Sequence, residues 1–269
     1  MMTTLVNTHW RSGPNGSASA CSPAVLPCGL CKAREAGICS AVPGPELRRL
    51  ADLATVVEVP RGKTFILEDA SAEHVWILTR GSAKLYKLLA DGRQQIIGFA
   101  YQGSLLGFVT SGGYSFTAEA LETARICRIS RARLQTALHE FRPMADRLLA
   151  VMADDLIQAH NQMLLLGRKS ATERIASFLL SQATRPQPRG IQWPRIHLPM
   201  GRSDIADYLG VATETVSRTL ATLQRRKIIA LPNVHEIVVI DALQLEELAN
   251  RPDLEPWTPP THAPITLSS

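Results

Sequence analysis

Between residues 55 and 130 glycines keep interrupting the chain, at 62, 81, 92, 98, 103 and 107 and as a pair at 112 and 113. A long helix does not survive that spacing, because each interior glycine costs about 1 kcal/mol relative to alanine. Between the glycines lie short apolar runs: VVEV, TFIL, HVWILT, AKLYKLL, QQIIGFA and FTAEALETARICRI. Several short strands with turn signals between them specify a sandwich or barrel. Asp91 and Gly92 sit between two such runs and mark a hairpin tip. With 269 residues the chain has room for this domain and for a second.

Helical spacing then takes over. Residues 131–141 form a short helix, and Pro143 suits the first turn of a longer one, where its missing N–H costs nothing. No Gly or Pro occurs from 144 to 166, which allows about six unbroken turns. Two apolar stripes run along it in steps of three and four: Leu149, Met152, Leu156, Met163, and Ala150, Ala153, Ile157, Leu164, with His160 in the rhythm of the second. Two stripes about 100° apart imply either two partner surfaces, its own domain and something else, or one wide core-facing side. Residues 170–183 form another helix, with Ser170 and Glu173 in capping-box spacing. PQPRG at 186–190 breaks the chain.

The next stretch, RSDIADYLGVATETVSRTLATLQRRKII (202–229), has the pattern of a helix-turn-helix. Ile205, Ala206 and Leu209 give one apolar face, Gly210 permits a sharp turn, and Val216, Leu220 and Leu223 give a second face. In that motif the second helix enters the DNA major groove and reads bases from its first turns. The outward residues there are Thr213, Glu214, Ser217 and Arg218, all able to hydrogen-bond. Arginine can fork onto guanine, and a carboxylate can accept from cytosine N4. Arg225, Arg226 and Lys227 stand one turn further on, suited to phosphates. PNVHEIVVID, which follows, reads as a small hairpin wing. Charge agrees: residues 168–227 hold 11 Lys+Arg against 4 Asp+Glu, a net of +7, within a chain whose total is +5. That local excess is the footprint either of a segment that binds a polyanion or of a solvated basic face.

Of five cysteines, three fall in Cys28-x2-Cys31-x7-Cys39, one (Cys21) lies just upstream, and Cys127 stands alone. The first twenty residues lack the apolar stretch of a secretory signal, and no apolar run is long enough to span a membrane. The expectation is a cytoplasmic protein in a reducing compartment, where clustered thiols bind metal or do redox chemistry. Four cysteines suit zinc or an iron–sulfur cluster. Residues 1–20 and 251–269 read as a disordered leader and tail. There is no nucleophile elbow, P-loop, HExxH or dinucleotide-binding glycine pattern, so an enzyme is not expected.

Together these segments resemble the CRP/FNR superfamily of bacterial transcription regulators over nearly all of 28–248. ETVSR (214–218) is similar to the recognition helix of the FNR branch, MLLLGRKSATERIASFL (163–179) to the connector after its dimer helix, and LETARIC (121–127) to the strand bearing its isolated cysteine. Within the superfamily the chain resembles FNR-like and FixK-like alphaproteobacterial regulators. The resemblance implies an α+β chain. A cysteine-bearing arm (21–45) precedes an N-terminal jelly-roll (β-roll) sensor domain (46–141) of the cyclic-nucleotide-binding type. A dimerisation helix (142–167) and a winged helix-turn-helix (168–250) follow.

It also implies a homodimer paired along Ala150, Ala153, Ile157, His160 and Leu164, and double-stranded DNA of the type TTGAT-N4-ATCAA. Thr213, Glu214, Ser217 and Arg218 fall at base-reading positions, and Arg202 and Thr215 at phosphate-contacting ones. RNA polymerase would be met by the hairpin tip 90–93 and the loop near Gly112 and Gly113. An oxygen-labile [4Fe–4S] cluster would be held by Cys28, Cys31, Cys39 and Cys127, with Cys21 spare. A cluster-free, FixK-like regulator, controlled by its expression level or by thiol oxidation, is the alternative. Cyclic AMP is not expected, because Leu105 and Phe116 stand where its ribose and phosphate partners would be, and a buried phosphate without its arginine is an unpaired charge.

Overall fold

The computed structural model describes residues 28–29, 31–109, 112–185 and 194–250. The expected leader and tail, Cys21 and the break at 186–190 lie outside the described residues.

The arm comprises a short helix α1 (Ala33–Ala36) and two 3-10 turns, Ile38–Ala41 and Gly44–Glu46, and helix α2 (Leu47–Leu53) follows. Eight strands come next: β1 (Ala54–Val59), β2 (Thr64–Ile66), β3 (His74–Arg80), β4 (Ala83–Leu88), β5 (Gln94–Ala100), β6 (Leu105–Leu106), β7 (Thr117–Ala120) and β8 (Ala124–Ser130). They form two antiparallel four-stranded sheets, ordered β1-β8-β3-β6 and β2-β7-β4-β5. This is the expected β-roll. The run FTAEALETARICRI is two strands rather than one, because residues 121–123 turn the chain and Leu121 N–H bonds to Ser82 O at 2.9 Å. Strand β6, only two residues long, left no run to read. The Asp91 and Gly92 tip joins β4 to β5, with Gly92 at φ 82.

Helix α3 (Arg131–Glu140) leads into α4 (Arg142–Arg168), whose 27 residues extend about 40 Å. Pro143 lies in its first turn as expected. Neither apolar stripe faces its own domain as a whole. Leu149, Leu156 and Met163 of the first are exposed, as are Ala150, Ala153, Ile157 and Leu164 of the second, so the two merge into one broad exposed side. The inward side is a third one, where Met144, Leu148, Val151 and Met152 meet the roll and the arm. Further along, that side carries Gln162, whose side-chain N–H bonds to Tyr208 O at 2.9 Å. Its mixed chemistry hid it from a search by hydrophobic period.

Helix α5 (Ala171–Ala183) opens with the expected capping box of Ser170 and Glu173. Strand β9 (Arg195–His197), helices α6 (Arg202–Leu209) and α7 (Thr213–Arg225), strands β10 (Ile229–Asn233) and β11 (Glu236–Val239) and helix α8 (Ala242–Ala249) complete a winged helix-turn-helix. The wing is a three-stranded sheet ordered β10-β11-β9. Gly210 caps α6 at φ 61, the left-handed geometry that its missing Cβ allows.

Three cores result. One fills the roll between its sheets. A second lies between the outer side of β3 and β8, the arm and the start of α4. The third fills the winged domain and extends onto the roll, taking in Leu121, Phe99 and Tyr101.

Candidate functional site

Cys127 occupies the middle of β8 and is paired on both sides, opposite Val56 of β1 and Ile77 of β3. Its backbone is therefore fixed by two ladders. Cys28 and Cys31 flank a turn closed by Cys31 N–H to Cys28 O at 3.4 Å, and Cys39 lies in the first 3-10 turn. Arg34 braces this arm, donating from Nε to Cys39 O at 3.3 Å and from Nη2 to Val42 O at 2.7 Å. All four cysteines are free thiols. Cys28, Cys39 and Cys127 pack against the same apolar core, and Cys28, Cys31 and Cys127 line one cleft of about 1030 Å³.

Burial pushes the Cys39 thiol from 9.0 up to about 12, and Cys28, Cys127 and Cys31 add to the rise. Burial likewise pushes Cys127 up to about 11, with Cys28 and Cys31 contributing. Burial and then Cys31 raise Cys28. The structure thus brings the four predicted thiols into one electrostatic neighbourhood. Among the described residues no three His, Cys, Asp or Glu side chains are close enough to hold a single metal ion.

The reading head lies in the winged domain. Val216, Leu220 and Leu223 are buried, which turns Thr213, Glu214 and Arg218 to the exposed side of α7, with Thr215 and Ser217 partly exposed. Arg202, at the start of α6, donates to Ser217 Oγ at 3.3 Å, so a candidate phosphate contact and a candidate base contact touch. Arg218 Nε rests on the Glu214 carbonyl at 3.4 Å. Arg225, Arg226 and Lys227 are exposed at the end of α7, and Lys227 takes the left-handed conformation at φ 58 that ends the helix. The candidate pairing residues Ala150, Ala153, Ile157, His160 and Leu164 are all exposed along α4.

Three features were not found in the sequence. The first is the joint between roll and winged domain, where Lys84 of β4 bonds to Asp204 of α6 at 3.2 Å and to Glu119 at 3.5 Å. Gln95 Nε2 donates to Asp207 O at 2.7 Å, and the rings of Phe99 and Tyr208 pack with centres 5.1 Å apart, tilted by 58°. The second is Arg147 of α4, which donates to Ala36 O in the arm at 2.9 Å. The third is Arg174 of α5, which donates to Leu166 O at 2.8 Å and to Leu209 O at 2.9 Å. None belongs to a spacing pattern, so only three-dimensional neighbours reveal them.

Among the described residues no helix is long and apolar enough to cross a membrane. The Crp-like helix-turn-helix domain family matches residues 173–248, and the cyclic nucleotide-binding domain family matches residues 56–141. The nitrogen fixation regulation protein FixK of Bradyrhizobium diazoefficiens is 37% identical over 223 residues, which cover 82% of this chain and 93% of that protein. The transcriptional activatory protein AadR of Rhodopseudomonas palustris is 38% identical over 201 residues, 75% of this chain and 84% of that protein. The solved structure of FixK2 from Bradyrhizobium japonicum is 35% identical and superimposes with a TM-score of 0.68, covering 72% of this chain and 96% of that one. Sheet order, long helix, winged domain and these likenesses agree that the chain belongs to the CRP/FNR family of helix-turn-helix transcription regulators.

Proposed function

We propose that this chain is a cytoplasmic, homodimeric DNA-binding regulator that responds to oxygen through a [4Fe–4S] cluster held by Cys28, Cys31, Cys39 and Cys127. The observation that carries the reading is that Cys127, fixed between two ladders, shares one core with Cys28 and Cys39 and one cleft with Cys28 and Cys31, all from a separate segment. Four thiols, three on a short arm and one on a fixed strand, make an all-sulfur donor set of the kind that holds an iron–sulfur cluster. When bound, the cluster supplies bonds that tie the arm to the roll and a reaction with oxygen that releases them.

The chain's own residues carry the consequence. Ile38 and Val42 of the arm are buried in the same core as Met144 and Leu148 of α4. Each such side chain contributes about 1.5–3 kcal/mol by leaving water. Arg147 links the same helix to the arm backbone. A docked arm therefore completes the surface on which α4 begins, and a released arm removes it. The exposed side of α4 is the pairing surface, since apolar side chains this large and contiguous mark an interaction site. Two subunits paired there present two α7 helices to a palindrome of the TTGAT-N4-ATCAA type. Thr213, Glu214, Ser217 and Arg218 read bases, while Arg202 and Thr215 hold phosphates. The exposed tip 90–93 and the loop bearing Gly112 and Gly113 are the surfaces offered to RNA polymerase. Leu105 is buried and Phe116 packs on the core of the roll, which supports a sensor domain without a cyclic nucleotide.

The second reading, a cluster-free regulator of the same fold, is favoured by the 37% identity to FixK. A titration of the palindromic duplex separates the two. Protein made without air is expected to bind the palindrome at least tenfold more tightly than after exposure to air. Log affinity should fall steeply with log salt. Equal affinity before and after air, in protein without iron, would establish the second reading.

A further inference from the structure

We infer that the loop 101–104 of the roll is a second path between the cysteine arm and the DNA-binding domain, inside one subunit, with Gly103 and Tyr101 as its positioning residues. The inference rests on reading α7 as the DNA-contacting helix, and not on the cluster. On the arm side the contact is backbone against backbone and the Ala36 methyl. A Cβ added to Gly103 would lie 2.7 Å from Ala36 Cβ, and one added to Gly37 would lie 2.9 Å from Gly103 O. The nearest atoms of the arm are backbone and the short Ala36 methyl, so a movement of the arm is felt by the loop directly.

The loop itself is stiff. Gly103 N–H bonds to Leu78 O at 2.8 Å, Leu78 N–H to Ser104 O at 3.0 Å and Ser104 N–H to Tyr101 O at 2.9 Å. Tyr101 N–H also bonds to Ser104 Oγ at 3.1 Å. On the far side the Tyr101 hydroxyl donates to Gln182 Oε1 at 2.6 Å, and Gln182, in α5, is only 3% exposed. The Arg185 guanidinium lies 4.5 Å from the centre of the Tyr101 ring. Helix α5 packs in one core with Val216 and Leu220 of α7. The arm and the reading domain thus rest on opposite ends of four stapled residues, and this route bypasses the pairing side of α4. Packed elements of this kind pass on small displacements because they do not deform continuously.

Gly37→Ala tests the path from the arm. Gly37 has φ −88, so alanine is accepted by its backbone, and its Cβ presses on Gly103 O at 2.9 Å and, less closely, on Ala33 O at 3.1 Å. In full-length protein made without air, amide hydrogen exchange at 178–185 should rise and DNA affinity should fall about fivefold or more, the low end of ordinary coupling between sites. The dimer affinity measured by sedimentation should fall by less than the DNA affinity. Tyr101→Phe removes the hydroxyl but keeps the ring under Arg185, and by reciprocity should raise exchange in the arm at 33–42. That readout stands even where Gly37→Ala does not fold. The double variant should lose no more affinity than the worse single one, because both act through one loop. Additive losses, unchanged exchange at both ends, or a fall in DNA affinity that merely follows loss of the dimer would overturn the inference. Iron measured in the same samples keeps the questions apart: the exchange pattern in iron-free protein would support the path while rejecting the cluster.

Discussion

Arg174 shows how much a single side chain holds. Its guanidinium donates to Leu166 O near the end of α4, to Lys169 O, and to Leu209 O at the end of α6. The last carbonyls of a helix have no partner within it, and their partial negative charge favours a cation. One side chain therefore closes two helices and starts a third. Arg174→Ala should destabilise the winged domain by about 2–3 kcal/mol in a urea titration. Arg174→Lys should recover only part of that, since an ammonium lacks the planar fork. An unchanged midpoint would show that water replaces these bonds without loss. The candidate thiols and base-reading residues were legible because they fall in spacings that chemistry requires. Arg174, Tyr101 and Gly37 were not, because a lone arginine, tyrosine or glycine has no spacing to read.

At the scale of elements, α4 carries the proposed pairing surface. Leu149 is 70% exposed and Leu164 46%, on a helix whose other side is committed to the arm and roll. In a two-fold pair every substitution counts twice. Ile157→Glu should therefore weaken the dimer by about a hundredfold or more, from roughly 1.5–3 kcal/mol per buried side chain. Far-UV circular dichroism should stay as it is, because Ile157 is exposed within one chain. Unaltered sedimentation would place the pairing surface elsewhere. The helix was legible from its unbroken length and its apolar stripes, yet those stripes marked the exposed side. Its inner side mixes Met144 and Leu148 with Arg147 and Gln162, which obey contacts rather than a period. The roll was legible from its glycines, down to the hairpin tip, while the division of β7 from β8 depended on Leu121 pairing with Ser82.

For the whole molecule, the reading domain does not hang freely from α4. Lys84, with a side chain 13% exposed, is shared between Glu119 of the roll and Asp204 of α6. Asp204 also accepts from Gly201 N–H at 3.0 Å, so the joint and the start of α6 use one carboxylate. Lys84→Met would leave two carboxylates facing each other without their cation, and calorimetry should then resolve two unfolding transitions where the intact chain shows one. A single transition with an unshifted midpoint would mean that the aromatic contact of Phe99 and Tyr208 suffices. The same architecture sets the start of α4 against the arm and its end against the winged domain. The most direct test of the account is the iron and sulfide content of Cys127→Ala protein, made without air beside the wild type, with its sedimentation profile. The account predicts a full complement and a dimer for the wild type, and little iron and mostly monomer for the variant; a variant that keeps both would contradict it.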